Sequence, residues 1–279
     1  MDLRQSARHA LRVASRLAPP LAEAGAAALF RSPAPRARVW SIEREALEAA
    51  DVRDVTVQGK TVRGYHWGDG ERPVLLVHGW QARASRWAPL AAALTARGLS
   101  PIAFDAPAHG DSPGRTTGVP EVAAVIERIA QDTGPLTALV AHSFGALGAT
   151  LALRQGVPAA RFAALAPVSD PEHLLETFSR QLDLHPRLTS AVRRRVERSL
   201  RREDHTWLSL AVDRGPLDPE IPVLVVHDEE DHMVPLAHGQ RMLAAHAGAG
   251  ELLVTRGLDH QRMLTAPEVI QAVVDFAAA

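Results

Sequence analysis

The stretch Leu139-Val140-Ala141-His142-Ser143-Phe144-Gly145-Ala146-Leu147 (LVAHSFGAL) sets two polar residues between an apolar run and a small-residue segment of helical character. Ser143 has two readings. It is either the N-cap of a helix that starts at Phe144, a position that favours serine, or a nucleophile held on a sharp strand-to-helix turn. The pattern small-x-Ser-x-small suits such a turn, because strand and helix backbones come close on either side of the serine. Ala141 stands where glycine is usual. Five residues do not decide between the readings, but each makes its own demand on the rest of the chain.

The flanking sequence supplies the frame. From Val52 the pattern has period two, and Asp54–Trp67 (DVTVQGKTVRGYHW) alternates around Gln58-Gly59-Lys60 as a β-hairpin does. Short apolar runs follow at Val74–Val77, Ile102–Phe104, Leu136–Val140, Phe162–Leu165, Val223–Val226 and Leu252–Val254. Helical patterns lie between and after them at Ser85–Ala96, Glu121–Gln131, Phe144–Arg154, Leu236–Ala247 and Pro267–Ala278. Strands apolar on both faces, alternating with helices, indicate an α/β fold. The sheet is expected to be mostly parallel and doubly wound, with an antiparallel N-terminal hairpin. Between Ser169 and Arg214 only helical pattern appears, so residues 169–214 read as a helical cap insertion. The core then comprises residues 51–168 and 215–279, and residues 1–50 form a helical extension.

Three further segments meet the demand of the nucleophile reading. His78-Gly79-Trp80 ends the Val74–Val77 run, where acyl transfer needs a loop donating a backbone N–H to an oxyanion. The two donors would be the amides of Trp80 and Phe144. Asp228-Glu229-Glu230-Asp231 ends the run at Val226, and His260 follows the last strand. Serine, then acid, then histidine is the chain order of one type of catalytic triad.

These blocks, VHGW, FDAPAHGDS, AHSFGA, HDEEDHMVP and GLDH, resemble the successive signatures of the α/β-hydrolase superfamily of serine hydrolases, from about Val52 to the C-terminus. Ala108, Asp228 and Asp259 depart from positions where that family often has glycine. The resemblance implies Ser143 as nucleophile, His260 as general base and Asp231, in HDxxDxxVP, as the acid that orients it. Asp228 and Asp170 are rival acids. It also implies a cap after the sixth strand and two-step acyl transfer with no cofactor. Trp80 and Phe144 would present their rings to a substrate, with His142 beside them. A dehalogenase is disfavoured, since that chemistry puts a carboxylate at the elbow. The leading function is a serine carboxylic-ester hydrolase for a small or medium substrate. Thioesterase, peptidase, lactonase and carbon–carbon hydrolase share the triad, and a hydrolase-fold ligand-binding protein with little turnover is the alternative from another class.

Other polar residues have plainer readings. His78, His109, His142, His227 and His232 lie near strand ends, but none shows the paired spacing of a zinc motif. No metal is expected. Asp105 and Ser112 read as loop organisers, and Trp87 and Trp207 as packing residues. The arginines at 193, 194, 195, 198, 201 and 202 read as a solvated helix face, with an acidic-ligand patch as the alternative.

Composition narrows the partners. A net charge of −1 over 279 residues argues against nucleic acid, and a chain without cysteine has no disulfide framework. A cytoplasmic setting is expected, and oligomeric state is not readable. Met1–Arg38 is rich in Ala and Arg, as transit peptides are, and Arg4, Arg8, Arg12 and Arg16 interrupt any secretory core. Leu17–Phe30 is mostly apolar but too short to span a bilayer, and it contains Pro19, Pro20 and Glu23. Leu3, Ala7, Ala10, Leu11, Ala14, Leu17 and Ala18 share a helical face. One or two helices packed on the main domain are expected here, with contact to a membrane surface as the alternative.

Overall fold

The computed structural model describes residues 3–279, with side chains from residue 5 onward, so the Leu3 and Arg4 side chains lie outside the described residues. Three helices, α1 (Leu3–Leu17), α2 (Pro19–Phe30) and α3 (Ser41–Glu48), precede the sheet. Gln58 and Gly59 then take φ values of 50° and 74°, as a type I′ turn demands at both central positions. They join β1 (Asp51–Val57) to β2 (Lys60–His66), with Val57 opposite Lys60.

From there strands and helices alternate: β3 (Pro73–Val77), α4 (Ala88–Ala96), β4 (Ser100–Phe104), α5 (Val119–Thr133), β5 (Ala138–His142), α6 (Phe144–Arg154) and β6 (Phe162–Leu165). Two cap helices follow, α7 (Pro171–Leu182) and α8 (Pro186–Leu200). The chain closes with β7 (Val223–Asp228), α9 (Ala237–Ala244), β8 (Gly250–Thr255), α10 (Asp259–Arg262) and α11 (Pro267–Ala278). The eight strands form one sheet in the order β1-β2-β4-β3-β5-β6-β7-β8. Only β2 runs antiparallel to its neighbours; the ladders from β4 to β8 are parallel. The antiparallel strand is therefore second from the edge, because the tight turn folds β1 back outside it.

Alternate residues of each central strand serve opposite cores. Leu75, Val77, Leu139 and Ala141 pack with α5 and α6, whereas Val74, Leu76, Ala138 and Val140 pack with α4 and α11. Burial on both faces explains the continuous apolar runs. β5 begins two residues later than the apolar run suggests. Leu136 makes only an isolated bridge to Ala159, and the ladder continues instead through His142.

Between Ser169 and Arg214 the structure has helices and short 3₁₀ turns, and no strand. Asp170 caps α7 by accepting from Glu172 N at 2.9 Å, and proline opens both α7 and α8. Arg241 on α9 holds the two ends of this insertion to the core. It donates to Asp170 and to Asp213, each at 2.8 Å.

The N-terminal pair differs from expectation. α1 and α2 lie on the cap helices rather than on the main domain. Arg8 donates to Gln181 O at 3.2 Å, Arg195 donates to Pro20 O at 3.3 Å, and Phe30 meets Phe178 edge-on at 5.3 Å. Each pair of helices has an apolar stripe that the other covers: Leu11, Ala22 and Ala26 on one side, Leu182, Leu188 and Val192 on the other are all buried. α3 is tied to the core, where buried Glu43 accepts from Ser85 Oγ at 2.7 Å and pairs with Arg86. The arginine face of α8 is only partly solvated, since Arg195 pairs with Glu23 and Arg193 with Glu172. Among the described residues no helix is long and apolar enough to cross a membrane.

Candidate active site

Ser143 stands between β5 and α6 with φ 54° and ψ −121°, outside the regions open to an ordinary L-residue. Such a conformation costs about 1–3 kcal/mol and persists only where its surroundings impose it. The side chain makes no capping hydrogen bond to α6. It points into a cavity, so the N-cap reading of Ser143 fails.

Small residues make the turn possible. A Cβ at position 145 would sit 2.6 Å from His78 O and 2.8 Å from Val77 O. One at position 79 would sit 3.0 Å from Ser143 Cβ, so the His78–Ala82 loop passes directly against the serine. Ala141 is fully buried, and the methyl that replaces the usual hydrogen is absorbed by the core.

The turn at the end of β7 and the loop after β8 bring two more groups to this point. His260 Nε2 lies 2.9 Å from Ser143 Oγ, and His260 Nδ1 lies 2.7 Å from Asp231 Oδ2. All three residues are buried. The second carboxylate oxygen of Asp231 accepts from Met233 N and Val234 N at 2.8 and 2.9 Å. Burial pushes the Asp231 carboxyl up. The hydrogen bond and charge of His260 and the two amides outweigh it, holding the group below the usual carboxylate range.

The rival acids point elsewhere. Asp228 accepts from Glu230 N, Thr255 Oγ1 and Leu258 N, which staples together the loops that carry Asp231 and His260. Asp170 is occupied as the cap of α7 and the partner of Arg241.

Two backbone amides in the segments that meet at the serine have no protein acceptor among the described residues. Phe144 is the first residue of α6, so its N–H has no intrahelical partner. In the loop after β3, Gln81 N donates to His109 Nε2 at 3.2 Å and Ala82 N to Gly79 O at 3.2 Å. Among the described residues nothing accepts from Trp80 N. The arrangement suits a developing oxyanion.

Neutral histidines fix this scaffold. His78 accepts from Ala106 N at 3.0 Å through Nε2 and donates to Gly79 O at 2.7 Å through Nδ1. Burial pulls its pKa down to about 4, and that of His109 to about 3. His142 Nε2 donates to His260 O at 3.0 Å, and burial holds this ring well below the ordinary histidine value. His142 thus touches the backbone of His260 while forming part of the cavity wall. His227 Nε2 donates to Val234 O at 2.8 Å behind Asp231, and His232 is exposed. Among the described residues no cluster of three ligating side chains could hold a metal. Asp105 accepts from Ala84 N and Asp111 N, both at 2.7 Å, and Ser112 accepts from Arg63 N at 2.9 Å.

The cavity above Ser143 measures about 710 Å³. Trp80 and Phe144 line it, their rings edge-to-face at 5.1 Å. Sequence reasoning missed its other walls. Leu29, Phe30 and Arg31 from the N-terminal extension and Glu121 from α5 also line it, and Arg31 is paired with Glu121. No motif marks these residues.

Comparison with known proteins is consistent with this architecture. No curated protein matches the sequence. Among solved structures, the chain is similar to a membrane phospholipase A described as a bacterial virulence factor. That match has 18% identity, covers 85% of this chain and 88% of that one, and has a TM-score of 0.61. It is also similar to epoxide hydrolase A of Mycobacterium thermoresistibile, at 17% identity, 81% and 98% coverage and a TM-score of 0.60. A third is the meta-cleavage product hydrolase of Pseudomonas fluorescens IP01, at 16% identity, 80% and 96% coverage and a TM-score of 0.60. Three enzymes with different names share the fold at this distance, so these likenesses establish the fold alone. The model of the alpha/beta hydrolase family matches residues 74–273, most of the chain, and the protein belongs to that family.

Proposed function

We propose that the protein is a serine hydrolase that cleaves a carboxylic ester through an acyl-enzyme on Ser143. The observation that carries this reading is the unbroken relay from Ser143 Oγ to His260 Nε2 (2.9 Å) and from His260 Nδ1 to Asp231 Oδ2 (2.7 Å). Serine is a weak nucleophile without an adjacent base. Here the base is in hydrogen-bonding range and its far nitrogen is held by a buried carboxylate.

Ser143 Oγ attacks the ester carbonyl as His260 Nε2 takes its proton. The negative charge on the former carbonyl oxygen is held by the Trp80 and Phe144 amides, and Asp231 stabilises the imidazolium. Collapse of this intermediate breaks the bond to the alcohol oxygen, which leaves with the proton from His260. Water then gives its proton to His260, attacks the acyl-enzyme, and the acid is released as Oγ is reprotonated. His142 keeps the His260 main chain in place through the 3.0 Å bond.

A fluorophosphonate probe tests serine, base and oxyanion site together. Rapid labelling at Ser143, lost in Ser143→Ala and in His260→Ala, is expected alongside cleavage of simple esters. A folded Ser143→Ala protein that retains near-wild-type turnover would overturn the assignment. Labelling without turnover of esters, thioesters or amides would favour a binding protein.

A further inference from the structure

The cavity over Ser143 is not closed by the cap insertion alone. Its far wall is built jointly from two parts of the chain that are distant in sequence: Ala7 and Phe30 from α1 and α2, and Phe178, Leu182, Leu200 and Trp207 from the cap. Phe30 packs edge-on against Phe178 at 5.3 Å and lies 6.3 Å from Trp207. The lining is mainly hydrocarbon. Of its charged groups, Arg31 and Glu121 pair with each other where the extension leaves α2 for α3, and Glu203 lies beside Leu200 just after α8.

The direction of the cavity follows from α7. This helix starts at Pro171, just after β6, and His173 in its first turn bonds Met233 O at 2.9 Å beside the Asp231 loop. Its twelve residues carry it about 18 Å at 1.5 Å per residue. Its distal end, at Gln181 and Leu182, is where α1 docks through Arg8. Ala7 thus lies at the end away from Ser143. About 18 Å is a little more than half of the roughly 30 Å hydrocarbon thickness of a bilayer, the depth that one lipid chain fills. The volume, about 710 Å³, falls in the upper half of the roughly 300–1,000 Å³ range of ligand pockets.

We propose that α1 and α2 complete an acyl-chain site. A long unbranched fatty acyl group extends from Ser143 along α7 to end against α1 and α2, and Ala7 and Phe30 set the chain length accepted. The inference rests on the serine-ester reading of Ser143 and adds the substrate class, aliphatic fatty-acid esters, with the N-terminal pair as the length gauge. Apolar burial then drives specificity. Each methylene added within the cavity raises kcat/KM about fourfold.

The experiment measures kcat/KM of the full chain on p-nitrophenyl esters from acetyl through butanoyl and octanoyl to dodecanoyl. Rates rising with chain length are expected, and Ala7→Phe should depress the dodecanoyl-to-acetyl ratio about tenfold or more. Phe30→Ala should shift the optimum to longer chains. A profile flat from acetyl to dodecanoyl, or a ratio unmoved by Ala7→Phe, would overturn the proposal. Dodecanoate binding to Ser143→Ala, followed by calorimetry, serves if Phe30→Ala does not fold and separates the two levels of the argument. Binding that Ala7→Phe weakens supports the chain site even if no ester is cleaved, an outcome that defeats only the esterase reading. No binding by a folded Ser143→Ala protein counts against the chain site itself.

Discussion

Asp228 and Asp231 stand three residues apart on one turn and hold different hydrogen-bond partners, so two isosteric substitutions distinguish the jobs we propose for them. In Asp231→Asn the remaining amide oxygen can keep the bonds from Met233 N and Val234 N. The amide NH₂ then faces His260 Nδ1, where the carboxylate had accepted at 2.7 Å. To accept from it, His260 must carry its proton on Nε2, the nitrogen that faces Ser143. A base in that tautomer cannot take the serine proton. The expected loss is about 10⁴-fold in kcat, equivalent to about 5 kcal/mol of transition-state stabilisation, with little change in stability.

Asp228→Asn does the reverse. Its carboxylate serves three donors, Glu230 N at 3.0 Å, Thr255 Oγ1 at 2.8 Å and Leu258 N at 3.0 Å, and it is fully buried. An asparagine offers one oxygen, so in its better orientation it keeps Thr255 and Leu258 and turns its NH₂ on Glu230 N–H. One charge-assisted bond is lost and a buried donor faces a donor, at a cost of about 2–3 kcal/mol. For a chain of this size that lowers Tm by several degrees, at about 2–4 °C per kcal/mol. Thermal melts and ester kinetics on both proteins measure the pair. Asp228→Asn with the larger kinetic defect and Asp231→Asn with the larger loss of Tm would refute this division of labour.

Three other outcomes follow from the same geometry. Gly145→Ala drives a methyl to within 2.6 Å of His78 O, so urea unfolding should register about 1–3 kcal/mol of overpacking together with reduced turnover; an unchanged midpoint would show that the turn can relax. Burial pulls His78 and His238 down to about 4 and His109 to about 3. The unfolded chain therefore binds their protons more readily, and stability is complete above about pH 6.5 and falls by about 1.4 kcal/mol per histidine per pH unit toward pH 4. Urea midpoints compared at pH 7.5 and 5.0 should differ clearly, and equal midpoints would count against neutral buried rings. Arg241→Ala releases both ends of the cap insertion at Asp170 and Asp213; limited proteolysis should then cut between Ser169 and Arg214 sooner than in the parent protein, and identical digestion would mean the clasp is dispensable.

What could be read from the sequence divides by the range of the interactions. The elbow was legible because its requirement is local: a strand meeting a helix at Ser143 leaves no space at 145, and the carbonyl of His78 enforces it at 2.6 Å. The sheet was legible because strands buried on both faces must be apolar at every position, as Val74–Val77 and Phe162–Leu165 are. The order Ser143, Asp231, His260 was legible because strand ends in a parallel sheet converge on one side. The placement of α1 and α2 was not. An amphipathic helix reports that it has an apolar face and says nothing about which of two apolar surfaces will cover it. The core faces near α5 and the cap faces of α7 and α8 offer hydrocarbon alike, and the choice between them is made by pairings such as Arg195 with Glu23 and Phe30 with Phe178, whose members lie about 150 residues apart or more. The same choice decides what the cavity is. Seated on the cap, the N-terminal pair adds Ala7 and Phe30 to the lining of the space above Ser143. On the acyl-chain proposal, a segment far in sequence from Ser143, Asp231 and His260 thereby becomes the part of the chain that meets the end of the substrate.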